Sequence, residues 1–313
     1  MKKSAILASA IALLLSGAAA AEATVYGIAK VEMTNNDLAD NWTVSNPGSR
    51  LGFKGSEDLG NGMKAVFQYE MVYDLSDGGG IGGARNSYVG LNGDFGTVLM
   101  GRHDTPNKSA FYAAGNDHLG DTSADLNSTY GFREIRASNV AAYVSNNMDG
   151  LKFAVAIAPG EGTGTAPSAG NGITDGTSVG VMYKSGPLKV GVGIDSLGDT
   201  QATGSDFDIM NLGGSYNMDN ITVGLQYQTT DLGSAATDET IIALSAKFAM
   251  GDNAVIASFG TTEVGTADRG GMTLGYMANL SKRTFAYVAY SDREGFTAAT
   301  DDSKLGFGMQ HKF

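Results

Sequence analysis

The sequence predicts an all-β chain that closes into a transmembrane antiparallel β-barrel of about 16 strands with short periplasmic turns. Three observations lead to this prediction. Apolar and polar residues alternate with period two in segments of eight to twelve residues. Short turns and longer polar segments alternate between them. Glycine is abundant (45 residues), proline is rare (5) and cysteine is absent, so stability must come from burial and backbone pairing.

Residues 1–21 are predicted to be a cleaved secretory signal peptide. Two lysines precede an apolar run over 5–15, and small residues at 19–21 supply an A-x-A cleavage site before Glu22. The apolar run is too short to span a bilayer as a helix. The mature, exported domain is therefore expected to be 22–313.

The composition excludes several classes of function. The mature domain has 19 basic and 33 acidic residues, a net charge near −14, so no nucleic-acid partner is expected. His103, His118 and His311 are far apart and lack ligand spacing, so no metal or other cofactor is expected. The glycine run at 78–83 is not followed by a helix or by Lys-Ser/Thr, which indicates a loop rather than a phosphate site.

The alternation is clearest over 63–71, where the odd positions are apolar and the even ones include Lys64, Gln68 and Glu70. The same split recurs later in the chain, over 151–157, 188–194, 221–227, 272–276 and 305–313. One face of each strand is therefore apolar and the other is wet. A soluble sandwich would alternate in the same way, so this pattern alone does not decide the fold.

The rhythm of the connections favours a barrel in a membrane. Seven short turns are predicted at 58–62, 93–96, 147–150, 185–187, 217–220, 250–253 and 280–283. Eight longer polar segments are predicted at 34–45, 74–84, 104–134, 159–176, 198–205, 230–238, 263–268 and 293–302. In alternation they join about sixteen strands, as in outer-membrane barrels. Closure satisfies every backbone group within lipid, and the polar faces then line an aqueous channel.

The segment 104–134 is the longest irregular stretch and is rich in carboxylates. Counting strands makes it the third extracellular loop, after the fifth strand. We expect it to fold into the bore and narrow it.

Alternation also predicts the direction of charged side chains. Leu51 and Phe53 are assigned to the lipid face, which turns Arg50 and Lys54 toward the lumen. A charge on the lipid face at mid-depth would cost about 2–4 kcal/mol, so charges near strand centres are expected to be luminal. Lys30, Lys64 and Glu70 are accordingly expected to line the lumen, as are Lys54 and Arg50.

Three further arginines are less simply placed. Ala137 and Tyr143 are assigned outward, which turns Arg136 inward, whereas the alternation around Arg85 is ambiguous. Arg102 has the parity of outward residues but lies at the rim of its strand. It is either a solvated rim charge or a contact with a neighbouring subunit.

Several stretches carry a resemblance to a known family. They are Val25-Tyr26-Gly27, the segment 49–70 with its two glycine-rich turns, 85–91 with 95–102, and the terminal Phe313. Together they resemble the trimeric general diffusion porins of Gram-negative outer membranes, particularly the Neisseria-like and related proteobacterial branch. The resemblance covers the whole mature chain. It implies a sixteen-stranded barrel, a homotrimer and a third extracellular loop folded inward opposite basic residues of the wall.

The resemblance also implies functional residues. On the basic wall of the constriction these are Arg50, Arg85 and Arg136; on the acidic loop they are Asp117 and Asp121, with Asp125 as an alternative. Phe313 would be the C-terminal signal that the outer-membrane assembly machinery reads. The other implied partners are the lipid bilayer with lipopolysaccharide, a second and third copy of the chain, and small hydrophilic solutes and ions.

The expected function is passive diffusion of ions and small hydrophilic solutes across the outer membrane of a Gram-negative bacterium, filtered by size and charge. Fixed charges at the narrowest point would act on permeating ions without any catalytic step. The acidic balance leads us to expect a modest cation preference. Two alternatives stay open: a substrate-specific channel with a saturable site, and a barrel-embedded hydrolase with Ser, His and Asn or Asp at one rim. A surface barrel with a plugged bore is a third.

Overall fold

The computed structural model describes residues 22–160, 171–197, 207–233, 237–297 and 300–313. The predicted signal peptide, 1–21, and the predicted loop at 198–205 lie outside the described residues, as does part of the predicted loops at 159–176, 230–238 and 293–302.

The described chain forms strands and two short helices. The strands are β1 (Glu22–Asn36), β2 (Asn41–Ser45), β3 (Arg50–Gly60), β4 (Met63–Asp74), β5 (Gly80–Gly93), β6 (Gly96–Asp104), β7 (Arg136–Val144), β8 (Leu151–Ala158), β9 (Gly176–Ser185), β10 (Leu188–Leu197), β11 (Phe207–Met218), β12 (Ile221–Asp231), β13 (Glu239–Met250), β14 (Asn253–Val264), β15 (Ala267–Asn279), β16 (Thr284–Arg293) and β17 (Asp302–Lys312). The helices are α1 (Pro106–Ala113) and α2 (Leu126–Tyr130), and neither has the length and hydropathy needed to cross a membrane.

The strands form one closed antiparallel sheet. Sequential strands pair with each other, and β1 pairs with β17 to close the ring. On its other edge β1 pairs with β3 along its first half and with β2 along its last residues. Since β2 and β3 together fill one position around the ring, the barrel has 16 strand positions, and the predicted fold class is confirmed.

Polarity is reversed relative to a soluble protein. On β12, Val223 and Leu225 are each 40% exposed on the outside, whereas Gln226 and Gln228 are fully buried inside. Such a wall requires lipid outside and a polar interior, which is the reason that the alternation was visible in the sequence. The same reversal recurs on β14, where Phe259 is exposed.

All seven predicted short turns lie between strands. The first contains Asn61 and Gly62 at φ +53° and +76°, the left-handed conformations that a tight hairpin requires. Two predicted long loops are wrong. Only a four-residue turn separates β1 from β2 within 34–45, and two residues separate β14 from β15 within 263–268. Beyond the lipid both faces of a strand are wet, so the apolar alternation stops before the backbone pairing does.

Candidate functional site

The inner loop is residues 105–135, which leave β6, the fifth strand position, and return to the wall at β7. Local sequence shapes it: the Thr105 side chain accepts a hydrogen bond from the backbone N–H of Lys108 (3.1 Å), which starts α1, with Pro106 in the first turn. Asp125 caps α2 through the N–H of Ser128 (2.6 Å). The predicted inward-folded third extracellular loop is therefore confirmed.

Polar contacts fasten α1 to the wall. The Asn107 amide donates to Asp195 Oδ2 (3.0 Å) and to the carbonyl of Ile209 (3.2 Å), and its oxygen accepts from Asn211 (2.9 Å). At the end of the helix the Ser215 hydroxyl donates to the carbonyl of Ala114 at 2.6 Å. These buried bonds hold α1 against β10 and β11.

The middle of the inner loop is fastened to β1 on the opposite side. Glu32, only 2% exposed, accepts from the backbone N–H of Ser123 (3.0 Å) and from its hydroxyl (2.8 Å). Lys30 donates from Nζ to the carbonyl of Gly120 at 2.7 Å and is 1% exposed. Lys30 thus points inward but lies under the loop, so it does not border the open bore.

The inner loop also carries an apolar cluster, formed by α1 and the last part of the loop. Phe111, Leu126, Tyr130 and Phe132 pack against Ile241 and Ala243 of β13. The Tyr130 hydroxyl lies 2.8 Å from Ser258 Oγ, and burial raises the pKa of Tyr130 to about 12. This cluster buries Phe111, Tyr130 and Phe132 between the loop and the wall.

A cavity of about 770 Å³ remains open between the inner loop and the opposite wall. Three arginines of the wall, here called the wall arginines, border it: Arg50, Arg85 and Arg136. Arg85 Nε lies 2.7 Å from Glu70 Oε1 and Arg50 Nε lies 3.9 Å from Glu70 Oε2. One buried carboxylate therefore holds two of the arginines side by side.

Carboxylates of the inner loop and of the end of β6 face these arginines. Arg50 contacts Asp121 Oδ2 at 3.4 Å, across the opening between wall and loop. Arg136 contacts Asp104 Oδ1 at 2.9 Å, and Lys108 bridges Asp104 (3.4 Å) and Glu134 (2.9 Å). The cluster therefore combines three wall cations, one loop cation and several acids.

A β-bulge explains how Arg85 reaches the bore. Tyr69 pairs with Ser87, but Met71 pairs with Ala84, so two residues of β5 stand opposite Glu70. Both point inward: Arg85 contacts Glu70, and the next residue, Asn86, donates to Asp104 at 2.8 Å. The ambiguous alternation around Arg85 is the mark of this extra residue.

A second irregularity lies at the start of β7. Ala137, assigned to the lipid face from its parity, is instead buried with Leu99 and Val140, so that assignment is wrong. Asn139 has φ +58°, and the pairing with β6 shifts register beside it. Arg136 borders the bore through its contact with Asp104, not because of a regular alternation.

The three predicted loop acids occupy different surroundings. Asp121 borders the cavity and faces Arg50, and Asp117 borders the cavity while accepting from the N–H of Leu126 at 3.4 Å. Burial, together with neighbouring carboxylates, raises the pKa of Asp117 well above its usual range. Asp125 does not border the cavity; burial raises its pKa to about 6. Its contact with Ser128 gives it a capping position.

The remaining predicted residues lie away from this cavity. Lys54 Nζ lies 5.0 Å from the centre of the Tyr26 ring, and Lys54 and Lys64 are both exposed. Arg102 donates to the carbonyl of Ala84 (2.9 Å) and to the Ser138 hydroxyl (2.6 Å).

The terminal Phe313 sits at the closure of the ring. Its backbone exchanges two hydrogen bonds of 3.1 Å with Gly27. Among the described residues, no group of three or more His, Asp or Glu side chains is arranged to hold a metal ion.

Sequence reasoning missed several cations that border the cavity. Five of them lie on the wall and in a short turn and are here called the vestibule cations: Lys189, Lys247, Lys282, Arg283 and Lys312. None makes an ion pair with a carboxylate of the described residues. Burial, together with the charges of Lys247 and Lys189, lowers the pKa of His118 on the loop to about 4. For Lys189, Lys247 and Lys312, luminal parity near the strand ends was the available signal, whereas Lys282 and Arg283 lie in a turn and have no such parity.

The chain is similar to known proteins over nearly its full length. Residues 7–295 match the family described as "Gram-negative porin". Outer membrane porin protein 32 of Delftia acidovorans is 33% identical, covering 92% of this chain and 88% of that protein. Major outer membrane protein P.IB of a Neisseria meningitidis serogroup B strain is 27% identical over the full length of both. The solved anion-selective porin from Comamonas acidovorans superposes with a TM-score of 0.75 at 26% identity, covering 94% of this chain and all of that one.

Proposed function

This chain belongs to the Gram-negative porin family, and we propose that, as a diffusion channel of the outer membrane, it filters ions and small hydrophilic solutes by size and charge. The filter would be the opening between the inner loop and the wall arginines. Permeation there needs no bond to form or break, and solutes cross down their own gradients. Charged groups of both signs keep the opening hydrated, so ions and polar solutes pass without losing all their water.

The charge that borders the bore supports an anion preference. The cavity is bordered by the wall arginines, Lys108 and the vestibule cations, against four carboxylates: Asp104, Asp117, Asp121 and Glu134. Three of these acids are paired with cations, and burial favours the neutral form of Asp117. The vestibule cations are not paired in this way. The fixed charge that a permeating ion meets is therefore positive.

This proposal departs from the cation preference expected from the sequence. That expectation used the net charge of the whole chain, but charges farther than a Debye length, about 10 Å at 0.1 M salt, are largely screened from the bore. The charges that border the bore decide selectivity, and they are mainly basic. The related Comamonas acidovorans porin is itself described as anion-selective, which supports the same preference here.

Reversal potentials of the purified protein in planar bilayers test the proposal. In a KCl gradient, where the two ions have similar mobilities, we expect a reversal potential whose sign shows that chloride is more permeant than potassium. Conductance should rise in proportion to salt without saturating. A potential of the opposite sign would refute the anion preference, and the absence of conductance steps would refute the channel. Saturation by one class of solute would favour the substrate-specific alternative.

We also propose that the channel is a homotrimer in contact with lipid and lipopolysaccharide, and that Phe313 guides its assembly. Arg102 is the candidate subunit contact, although its two hydrogen bonds within the chain equally suit a rim charge. Arg102→Ala should lower the temperature at which the trimer dissociates on a gel, with unchanged mobility of the heated monomer. An unchanged dissociation temperature would leave Arg102 as a rim residue.

A further inference from the structure

The inner loop lies on a row of glycines in the wall. Here called the wall glycines, they are Gly180, Gly191, Gly193, Gly213, Gly224 and Gly275. They come from β9, β10, β11, β12 and β15, and they follow the course of the loop from Pro106 to Leu119.

The wall glycines leave no room for a side chain. A Cβ added to Gly191 would lie 1.8 Å from the carbonyl oxygen of Ala110, and one added to Gly180 would lie 2.2 Å from that of Pro106. Both distances are far below any real contact of a Cβ atom. The obstructing atoms belong to the backbone of α1, so no side-chain rotation could relieve the overlap.

Backbone conformation does not explain these glycines. None of the wall glycines has the positive φ that would require glycine, and each lies within a regular strand. Glycine weakens a strand, so its presence there indicates a close approach of another backbone. At Gly191 and Gly180 that backbone is α1.

The other side of α1 borders the bore. Lys108 and Tyr112 line the cavity, while Asn107 and Ala114 are bonded to the wall. Because the wall is a closed hydrogen-bonded sheet, the helix can only yield toward the cavity. Any separation of α1 from the wall must therefore reduce the open cross-section.

We propose that the wall glycines set the size limit of the channel by allowing the inner loop from Pro106 to Leu119, and α1 above all, to lie directly on the sheet. This rests on the proposed function, since it assigns the size filter to positions that carry no charge and touch no solute. The wall glycines act as positioning residues. The sign of ion selectivity should not depend on them, because no charged group is altered.

Gly191→Ala and Gly180→Ala test this, with Gly83→Ala as the matched control. Gly83 lies in β5, needs no positive φ and has no atom within 4 Å of an added Cβ. We expect both test variants to show a lower single-channel conductance and slower entry of large neutral sugars into liposomes. Their reversal potentials should keep the wild-type sign. The control should match the wild type, and gel mobility before and after heating should show that every barrel is folded.

Wild-type conductance and sugar entry in folded Gly191→Ala would overturn the proposal. A raised conductance would also overturn it, because separation of α1 from the wall would then have widened the opening instead of narrowing it. If the wild-type protein makes no channels, the proposed function itself fails. If the wild type and all the variants conduct equally, only the proposal about the wall glycines fails.

A second pair of substitutions, with a milder overlap, tests the proposal if Gly191→Ala and Gly180→Ala fail to fold. A Cβ at Gly275 would lie 3.0 Å from Cδ1 of Leu119, the end of a flexible side chain. Gly275→Ala should therefore lower conductance slightly. In a Leu119→Ala background the same change should have no effect, because the obstructing atoms are gone. An equal decrease in both backgrounds would contradict the proposal.

Discussion

Tyr130 offers a direct measurement of how firmly the inner loop is held. Its side chain is 1% exposed, its ring packs with Phe132, and its hydroxyl lies 2.8 Å from Ser258 Oγ. Tyr130→Phe removes only the hydroxyl. Ser258 keeps its contact with Thr273 at 2.6 Å, so no buried polar group is left without a partner. Tyr130→Ala removes the ring as well and leaves a cavity behind α2.

The two changes should differ greatly in size. Loss of one buried hydrogen bond weakens docking by about 1 kcal/mol, whereas truncation of a buried aromatic side chain weakens it by about 3–5 kcal/mol. Since about 1.4 kcal/mol corresponds to a factor of ten, the fraction of time with this part of the loop detached should rise roughly fivefold for the Phe variant. For the Ala variant it should rise by roughly two to three and a half orders of magnitude.

Hydrogen exchange of the amides over 126–132 in the folded barrel measures this detachment, and single-channel current noise reports it independently. Tyr216→Ala is the matched control, because Tyr216 is 47% exposed on the outer face of β11. It should leave exchange over 126–132 unchanged. If Tyr130→Ala exchanges as slowly as the wild type, Tyr130 does not hold the loop and the reasoning is refuted.

Three further predictions concern the loop acids and the closure of the ring. Replacing Asp117 and Asp121 by Asn should shift the reversal potential toward anions in planar bilayers; no shift would mean that permeating ions do not sense them. Burial raises the pKa of Asp125 to about 6, so docking should be most stable below the ordinary carboxyl pKa and weaken as pH rises through about 6. Amide exchange corrected for its intrinsic pH dependence checks this, and Asp125→Asn should reduce the pH effect to the part that the raised pKa of Asp117 contributes. Gly27→Val places a side chain where the Phe313 ring lies, 2.3 Å from an added Cβ, and should lower the unfolding temperature on gels. Unfolding at the wild-type temperature would contradict that contact.

The barrel was predictable because one physical rule acts on every spanning strand. Lipid outside and water inside force residues such as Leu225 and Gln226 onto opposite faces, so each strand carries its own signal. The rule stops at the membrane surface. Asn36 and Asn41 pair as strand residues beyond the lipid, yet they look like loop residues in the sequence.

The bore was less predictable because its geometry depends on departures from that rule. Arg85 enters through a bulge, which adds one residue and reverses the alternation. Lys30 has luminal parity but is covered by Gly120 of the inner loop. Parity predicts the direction of a side chain and not which segment of the chain covers it. Gly191 appears in the sequence as a small luminal residue, and only the position of Ala110 explains why this residue is glycine. Contacts between distant segments leave no local pattern.

The pairing of β1 with β17 has a consequence for how the molecule is made. Ile28 pairs with Lys312, so the last seam to form joins opposite ends of the chain. Until the final residues arrive, every growing intermediate has two open sheet edges, and such edges invite pairing with other chains. Contacts this distant in sequence also form slowly. Closure of the ring therefore requires the last strand, and the open edges need to be shielded until that strand pairs with β1.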